Sequence, residues 1–406
     1  MADRILIDAP HLLDVVEGEW LADRRILVAD ERIEAILGPG DGAPADARPL
    51  AIDGDWVLPG LIDCHAHLVG ELEYSGIPAV DVTPAQEAMS GVRNARDTLR
   101  AGFTAVRDVG TFWSFVDVAL RDAIDRGWTP GPRMQCAGAY ITCPGGGGEV
   151  TGDAPSMGLP DGLRMGVVRD EAEVRAAVRM LIAGGADLIK CIVTGAVLTR
   201  GTDPGAVELS EAMVRAAVEE AAAQGRYVAA HAHGTEGIKV AIRAGVRSIE
   251  HASLIDDEGI AMLAESGTYL VADVYDGDWI NEVGARDGWP AETMAKNIRT
   301  TEAQRAAFGR AVAAGVRIAY GTDSGVYPHP MVAIQLGYQV RLGQTPLQAL
   351  RSATLTASEL MGWEDRVGSL RPRRFADLVA VTADPLEDIE VVRRPTTIVK
   401  GGARVV

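Results

Sequence analysis

The chain has 406 residues, 47% hydrophobic and 24% charged, a globular composition that excludes disorder, collagen-like repeats and a disulfide scaffold. With 57 acidic against 39 basic residues the formal net charge is −18, a field that repels nucleic acid and anionic membranes, so neither is expected as a partner. The four cysteines (Cys64, Cys136, Cys143, Cys191) contain no CxxC pair, the N-terminus has no apolar signal core, and no apolar run reaches membrane-spanning length, so the chain reads as soluble and cytoplasmic.

Residues 1–59 read as strands and turns. Arg25–Val28 and Arg32–Leu37 flank Asp30-Glu31, Gly38-Pro39-Gly40 closes the second run, and Trp56-Val57-Leu58 follows a loop rich in Pro, Ala and Asp. This segment holds too little core to stand alone. From Leu61 the pattern changes to eight short apolar runs, at 61–65, 104–109, 133–141, 187–193, 227–231, 248–251, 268–272 and 316–320, with helical stretches between most of them. Thr83-Pro84 with Glu87 in the first turn marks a helix start, and Gly102 its stop. Ala172–Ile182 ends at Gly184-Gly185, Ser210–Gln224 at Gly225 and Ile238–Ala244 at Gly245, each a residue that can close a helix in the left-handed conformation. Eight such units predict an α/β fold, a (β/α)8 TIM-like barrel over residues 60–368; a doubly wound open sheet is the alternative. Strand-like text returns in Ala376–Val381, Thr397–Lys400 and, across Gly401-Gly402, Ala403–Val406. Residues 1–59 and 369–406 are therefore expected to pair into a small β-sandwich.

The seven histidines carry most of the information. His65 ends the first run with His67 two residues on, His231 ends the fifth with His233 two residues on, and His251 ends the sixth. Lys190 lies inside the fourth run, and Asp323 follows the eighth in Gly321-Thr-Asp-Ser-Gly325. Residues i and i+2 of a strand share a face, and the carboxyl ends of barrel strands form the catalytic rim. His65, His67, Lys190, His231, His251 and Asp323 thus converge on one rim; the bland alternative is that each is a satisfied core or surface residue. Imidazole and carboxylate suit Zn, Mn, Fe or Ni, and imidazole-rich sites most often hold Zn. A buried lysine has a lowered pKa, and its neutral amine can take up CO2 as a carbamate able to bridge two cations.

Several motifs together resemble the amidohydrolase superfamily of metal-dependent hydrolases. They are Pro59-Gly-Leu-Ile-Asp-Cys-His65-Ala-His67, Gly102-Phe-Thr-Ala-Val-Arg-Asp108, Lys190, His231-Ala-His233-Gly, Ser248-Ile-Glu-His251, Gly321-Thr-Asp323 and Thr345-Pro-Leu-Gln-Ala-Leu-Arg-Ser-Ala353-Thr, with the tail from Ala376 to Gly402. Within it the chain is most similar to the group of Xaa-Pro dipeptidases (prolidases), N-acyl-amino-acid hydrolases and imidazolonepropionase-like proteins. The resemblance implies two divalent metal ions, zinc by expectation. His65 and His67 would hold one and His231 and His251 the other, with carboxylated Lys190 and a hydroxide bridging and Asp323 on the first metal. It further implies Asp323 as general base and His233 as a contact to the substrate carbonyl or carboxylate, a structural hydrogen bond being the alternative for His233.

The loop after strand three, Ile141-Thr-Cys-Pro-Gly-Gly-Gly-Gly148, lacks the substrate-binding His that relatives often carry. Arg200, after strand four, is a candidate to bind a substrate carboxylate instead. Gly145–Gly148 reads as a mobile active-site loop, Cys64 and Cys191 as packing residues, Arg107-Asp108 as a structural pair, and His329 as a surface loop residue. The expected activity is hydrolysis of an amide bond in a small-molecule substrate, a dipeptide or N-acyl amino acid. Hydrolysis of a cyclic amide, carbamate or ester is the rival, and a non-catalytic scaffold the alternative of another class. A homo-oligomer is expected, without a legible interface.

Overall fold

A computed structural model of the chain describes residues 4–70, 82–149, 160–163 and 165–405. Both ends of the chain build one eight-stranded sheet. Arg4–Asp14 pairs antiparallel with Glu19–Ala29, which pairs with Arg32–Leu37 across the two-residue turn Asp30-Glu31. Both turn residues have positive φ, 48° and 66°, the geometry whose twist matches a hairpin. Trp56–Pro59 runs parallel to the first strand and antiparallel to Leu378–Val381, which continues through Thr397–Lys400 to Ala403–Arg404. Trp56–Pro59 therefore joins the two termini by pairing on both edges. Seven of the strands share one path of hydrogen bonds and the eighth, Arg48–Pro49, pairs with the first strand off it, where a small β-sandwich was expected. Ile7, Leu12, Ile26, Val57, Leu378 and Val399 are buried in a common apolar cluster, and Leu13, Leu58 and Leu61 pack with Phe103 and Tyr320 from the middle of the chain.

The middle of the chain is mixed α/β, with a curled parallel sheet. Leu61–Ala66, Phe103–Asp108 and Arg133–Cys136 pair in sequence order, as do Tyr140–Ile141, Ile189–Ile192, Val228–Ala232, Ser248–His251 and Tyr269–Val271. The two groups meet where Asp187 N donates to Cys136 O (2.7 Å). On the other side the eighth apolar run reaches both neighbours: Ala319 N donates to Leu270 O (3.0 Å) and Cys64 N to Tyr320 O (2.8 Å). This eighth run makes one isolated bridge, Ile318 with Leu270, and Ser324 in the turn Gly321–Gly325 makes another with Ala66. A Cβ on Gly321 would lie 2.2 Å from Val271 Cγ1 and 2.8 Å from His65 Cβ, so only glycine fits beside the first histidine.

The helix signals act as expected. Pro84–Arg100 starts with a Thr83–Gln86 capping box, Glu171–Ala183 and Glu211–Ala223 are capped by Asp170 and Ser210, and Thr235–Ala244 ends at Gly245 with φ 90°. The sequence reading did not name Asp276–Asp287 and Ala291–Ala313, a helix pair that follows the strand Tyr269–Val271 and whose first member lines the cavity. Among the described residues no helix is long and apolar enough to cross a membrane.

Candidate active site

His65, His67, Lys190, His231, His251 and Asp323, drawn from four strands and the turn after the eighth run, line one cavity together with His233. Its volume is about 120 Å³, well above the ~10–15 Å³ that holds one water. His65 Nε2 and His67 Nε2 stand 3.3 and 3.2 Å from the same oxygen of Asp323. Lys190 Nζ is 3.5 Å from His65 Nε2. The His251 ring lies 4.8 Å from that of His65 and 4.5 Å from that of His231, centroid to centroid.

The outward nitrogens of three imidazoles are occupied. His65 Nδ1 is 2.9 Å from Glu250, His251 Nδ1 is 2.7 Å from Asp273, and His67 Nδ1 is 2.8 Å from Gly110 O. A carbonyl or carboxylate accepts, so Nδ1 of each ring carries a proton, and Nε2 is the nitrogen that faces the cavity. Imidazoles that ligate a metal are held this way. His231 is turned: its Nε2 lies 3.4 Å from Gly195 O, which leaves Nδ1 as its ligand atom. The donor set therefore fits a divalent transition metal.

Residues 56–405 match the amidohydrolase family. The chain belongs to that family. It is 34% identical to the ochratoxinase of Aspergillus niger, over 98% of this chain and 86% of that one. The crystal structure of a Xaa-Pro dipeptidase with bound methionine in its active site superposes with a TM-score of 0.91 at 34% identity, over 99% of both chains. A prolidase complexed with N-methylphosphonate-L-proline superposes with a TM-score of 0.89 at 29% identity, again over 99% of both chains. Such proteins hydrolyse carbon–nitrogen bonds, and the likeness implies a TIM-like barrel. The amidohydrolase assignment makes this protein a hydrolase.

Burial sets the electrostatics of this amidohydrolase centre. It lowers the Lys190 ammonium to about 8, against the opposing pull of Glu250 and Asp323. It also keeps His231 well below the usual imidazole range, with His251 and His233 adding to the effect, and lowers His233 to about 3. Burial alone would raise Asp323 and Asp273, yet His65 and His67 hold the first well below the carboxylate range and His251 holds the second at about 2.

Beneath His65 lies a fully buried ion pair that sequence reasoning missed. Arg107 Nη2 donates to Glu250 Oε1 (2.8 Å) while the other Glu250 oxygen faces His65. Arg107 was expected to pair with Asp108, but consecutive strand residues point to opposite faces. Asp108 instead accepts from the backbone amides of Leu68 and Gly110. Glu250 and its neighbour His251 both approach His65 because His251 has φ 69°, which breaks the strand's alternation. Asp323 also has positive φ, 55°. It is held where Asp323 N donates to His65 O (2.8 Å) and where Asp63 accepts from the amides of His65 and Thr322.

The remaining predicted residues fall in different places. His233 lies one residue past its strand yet remains buried, with Nδ1 2.8 Å from Ser253 Oγ and its ring stacked on His251 at 4.6 Å. Arg200 is exposed and does not line the cavity. The backbone on either side of it is tied to the helix Ala291–Ala313, with Lys296 donating to Thr199 O and Gly201 N to Glu292. His329 is buried rather than on the surface, with Nδ1 3.0 Å from Thr98 Oγ1; its short helical turn packs on Pro84–Arg100. In the glycine loop, Gly147 N donates to Glu208 and Gly148 N to Thr199, and Gly148 lines the cavity. Cys64 and Cys191 are buried in apolar clusters, outside the lining. Asp273 directly follows the seventh apolar run, a position that could have marked it in the sequence.

Proposed function

We propose that the protein is a binuclear metal-dependent hydrolase that cleaves an amide bond of a dipeptide or N-acyl amino acid. One observation carries the reading: His65 and His67 on one side and His231 and His251 on the other flank a buried lysine, with Asp323 touching the first pair. On this reading residues 60–368 are a closed (β/α)8 barrel, and 1–59 with 369–406 form its β appendage. His65, His67 and Asp323 would hold one divalent ion, His231 and His251 the second, and zinc suits the set best. The Lys190 amine, once neutral, would add to CO2 with loss of one proton, and the resulting carbamate would supply carboxylate oxygens to the ions.

When bound, the ions supply Lewis acidity that lowers the pKa of a water and polarises the scissile carbonyl. The chain's own groups do the rest. Asp323 accepts the proton of the attacking water and passes it to the leaving nitrogen. His233, fixed by Ser253, offers Nε2 to the substrate. Phe112, Leu198, Ile280 and Val326 give the cavity apolar walls that exclude bulk water. The reading draws support from the similarity to a Xaa-Pro dipeptidase, a prolidase and an ochratoxinase.

The test is amine release from a panel of dipeptides and N-acyl amino acids, using zinc-loaded protein with bicarbonate present, alongside metal analysis. Two ions per chain and release from members of the panel are expected. Silence across the panel from fully metallated protein would overturn the reading in favour of cyclic amides, carbamates or esters.

A further inference from the structure

His233 lines the cavity beside the ligand candidates, yet its second nitrogen is held differently from theirs. His65, His67 and His251 turn Nδ1 to a carboxylate or a carbonyl, groups that only accept. His233 turns Nδ1 to the hydroxyl of Ser253, at 2.8 Å. A hydroxyl donates or accepts, so this contact by itself allows the ring proton on either nitrogen. Distance does not decide the role of His233 either. A ring nitrogen from each of His231, His233 and His251 lies within 4.8 Å of the others, close enough for a third imidazole ligand on one ion.

The surroundings of Ser253 decide it. Ser253 is buried, and among the described residues His233 Nδ1 is the one hydrogen-bond partner of its side chain. If Nδ1 donated to Oγ, the hydroxyl proton would be a buried donor with no acceptor, which is costly. If the hydroxyl donates to Nδ1, no buried donor is stranded, and the ring proton sits on Nε2, on the side away from Ser253. The ring itself has little freedom: it stacks on His251 at 4.6 Å, and His233 N donates to Thr194 Oγ1 at 3.0 Å. What Ser253 sets is the place of the proton. An N–H cannot ligate a cation, and it binds a carbonyl oxygen more strongly as that oxygen gains negative charge.

We propose that Ser253 is a positioning residue: its hydroxyl donates to His233 Nδ1, holds the ring proton on Nε2, and so makes His233 a hydrogen-bond donor to the scissile carbonyl rather than a third imidazole ligand. The carbonyl contact rests on the amide-hydrolase reading above; the place of the proton does not.

The test uses zinc-loaded protein whose histidines carry heavy nitrogen. Two-bond nitrogen–proton NMR correlations at neutral pH report which nitrogen of each ring is protonated, and His233→Gln identifies the His233 signals by their loss. The wild type should show a protonated Nε2 and a bare Nδ1 at His233. Ser253→Thr, which keeps the hydroxyl, should keep that pattern and the turnover. In Ser253→Ala the proton should be shared between the two nitrogens. There kcat on the fastest panel substrate should fall roughly ten- to hundredfold with KM little changed, less than the ~10²–10³-fold for removing an oxyanion donor outright, because the imidazole stays in place. Metal content should be the same in every variant.

A His233 proton on Nδ1 in the wild type would overturn the proposal, as would an unchanged kcat in Ser253→Ala. Metal lost from His233→Gln would overturn it too, by making His233 a ligand. If metal-replete protein cleaves no amide, the amide-hydrolase reading falls, and the wild-type spectrum still decides on Ser253. A proton on Nε2 supports the assignment, and one on Nδ1 rejects it.

Discussion

The terminal sheet and the cavity rim both contain non-glycine residues in the left-handed conformation, but in opposite surroundings. In the sheet region these are Asp23, Asp30, Glu31 and Arg373, all exposed. At the rim they are His251, Ala252 and Asp323, buried or half-buried. In the first group Asp30 and Glu31 follow turn geometry, and Asp23 lies within the strand Glu19–Ala29 where its pairing with the first strand skips a residue. The second is held by its surroundings: His251 by Asp273, and Asp323 by the His65 carbonyl and both neighbouring imidazoles. Backbone strain persists where the structure around it over-determines it. Here that place is also where the buried charges are, so conformational cost and chemistry share one address, while the terminal sheet buries apolar side chains.

Substitutions on the two sides should separate these roles. The largest effect is expected from Asp323→Asn, which should lower kcat by ~10²–10⁴-fold while circular dichroism and the thermal transition show a folded protein. An active variant would remove Asp323 from proton transfer. Arg107→Met should cost stability instead, about 3–5 kcal/mol, because Glu250 would remain as a buried uncompensated charge. Denaturant unfolding measures this, and a change below about 1 kcal/mol would show that Glu250 finds another partner. Gly321→Ala should destabilise by ~1–3 kcal/mol through overpacking against Val271 and His65. It should also reduce turnover, because His65 must shift. Full activity in that variant would show that the rim tolerates movement. In the terminal sheet Glu31→Gly, at φ 66°, should change stability by no more than ~1–2 kcal/mol, in the stabilising direction, with turnover untouched. A large loss there would mean that the turn is held by more than its own geometry.

The ligand candidates were legible in the sequence because each follows or interrupts an apolar run, and run ends in parallel sheets map to one rim. Helix ends were legible for an equally local reason: Thr83, Ser210, Gly225 and Gly245 act on the backbone within a turn of themselves. Arg107 shows where local reading stops. Its neighbour in the chain is Asp108, but its partner Glu250 lies 143 residues away, and nothing short-range encodes that pairing. Glu250 stood inside a recognised motif, yet only His65 packed against it reveals its part. Arg200 and His329 were misread in opposite directions, since a loop residue's exposure depends on what the loop is tied to.

By itself the sequence determined the order of elements, the family and the residue types that meet at the rim, all of which depend on spacing and on motifs within a few residues. Only the tertiary structure decided which nitrogen each histidine presents and which carboxylate faces it. Those are matters of distance and dielectric between segments far apart in the chain, and they exist only once the strands have curled together.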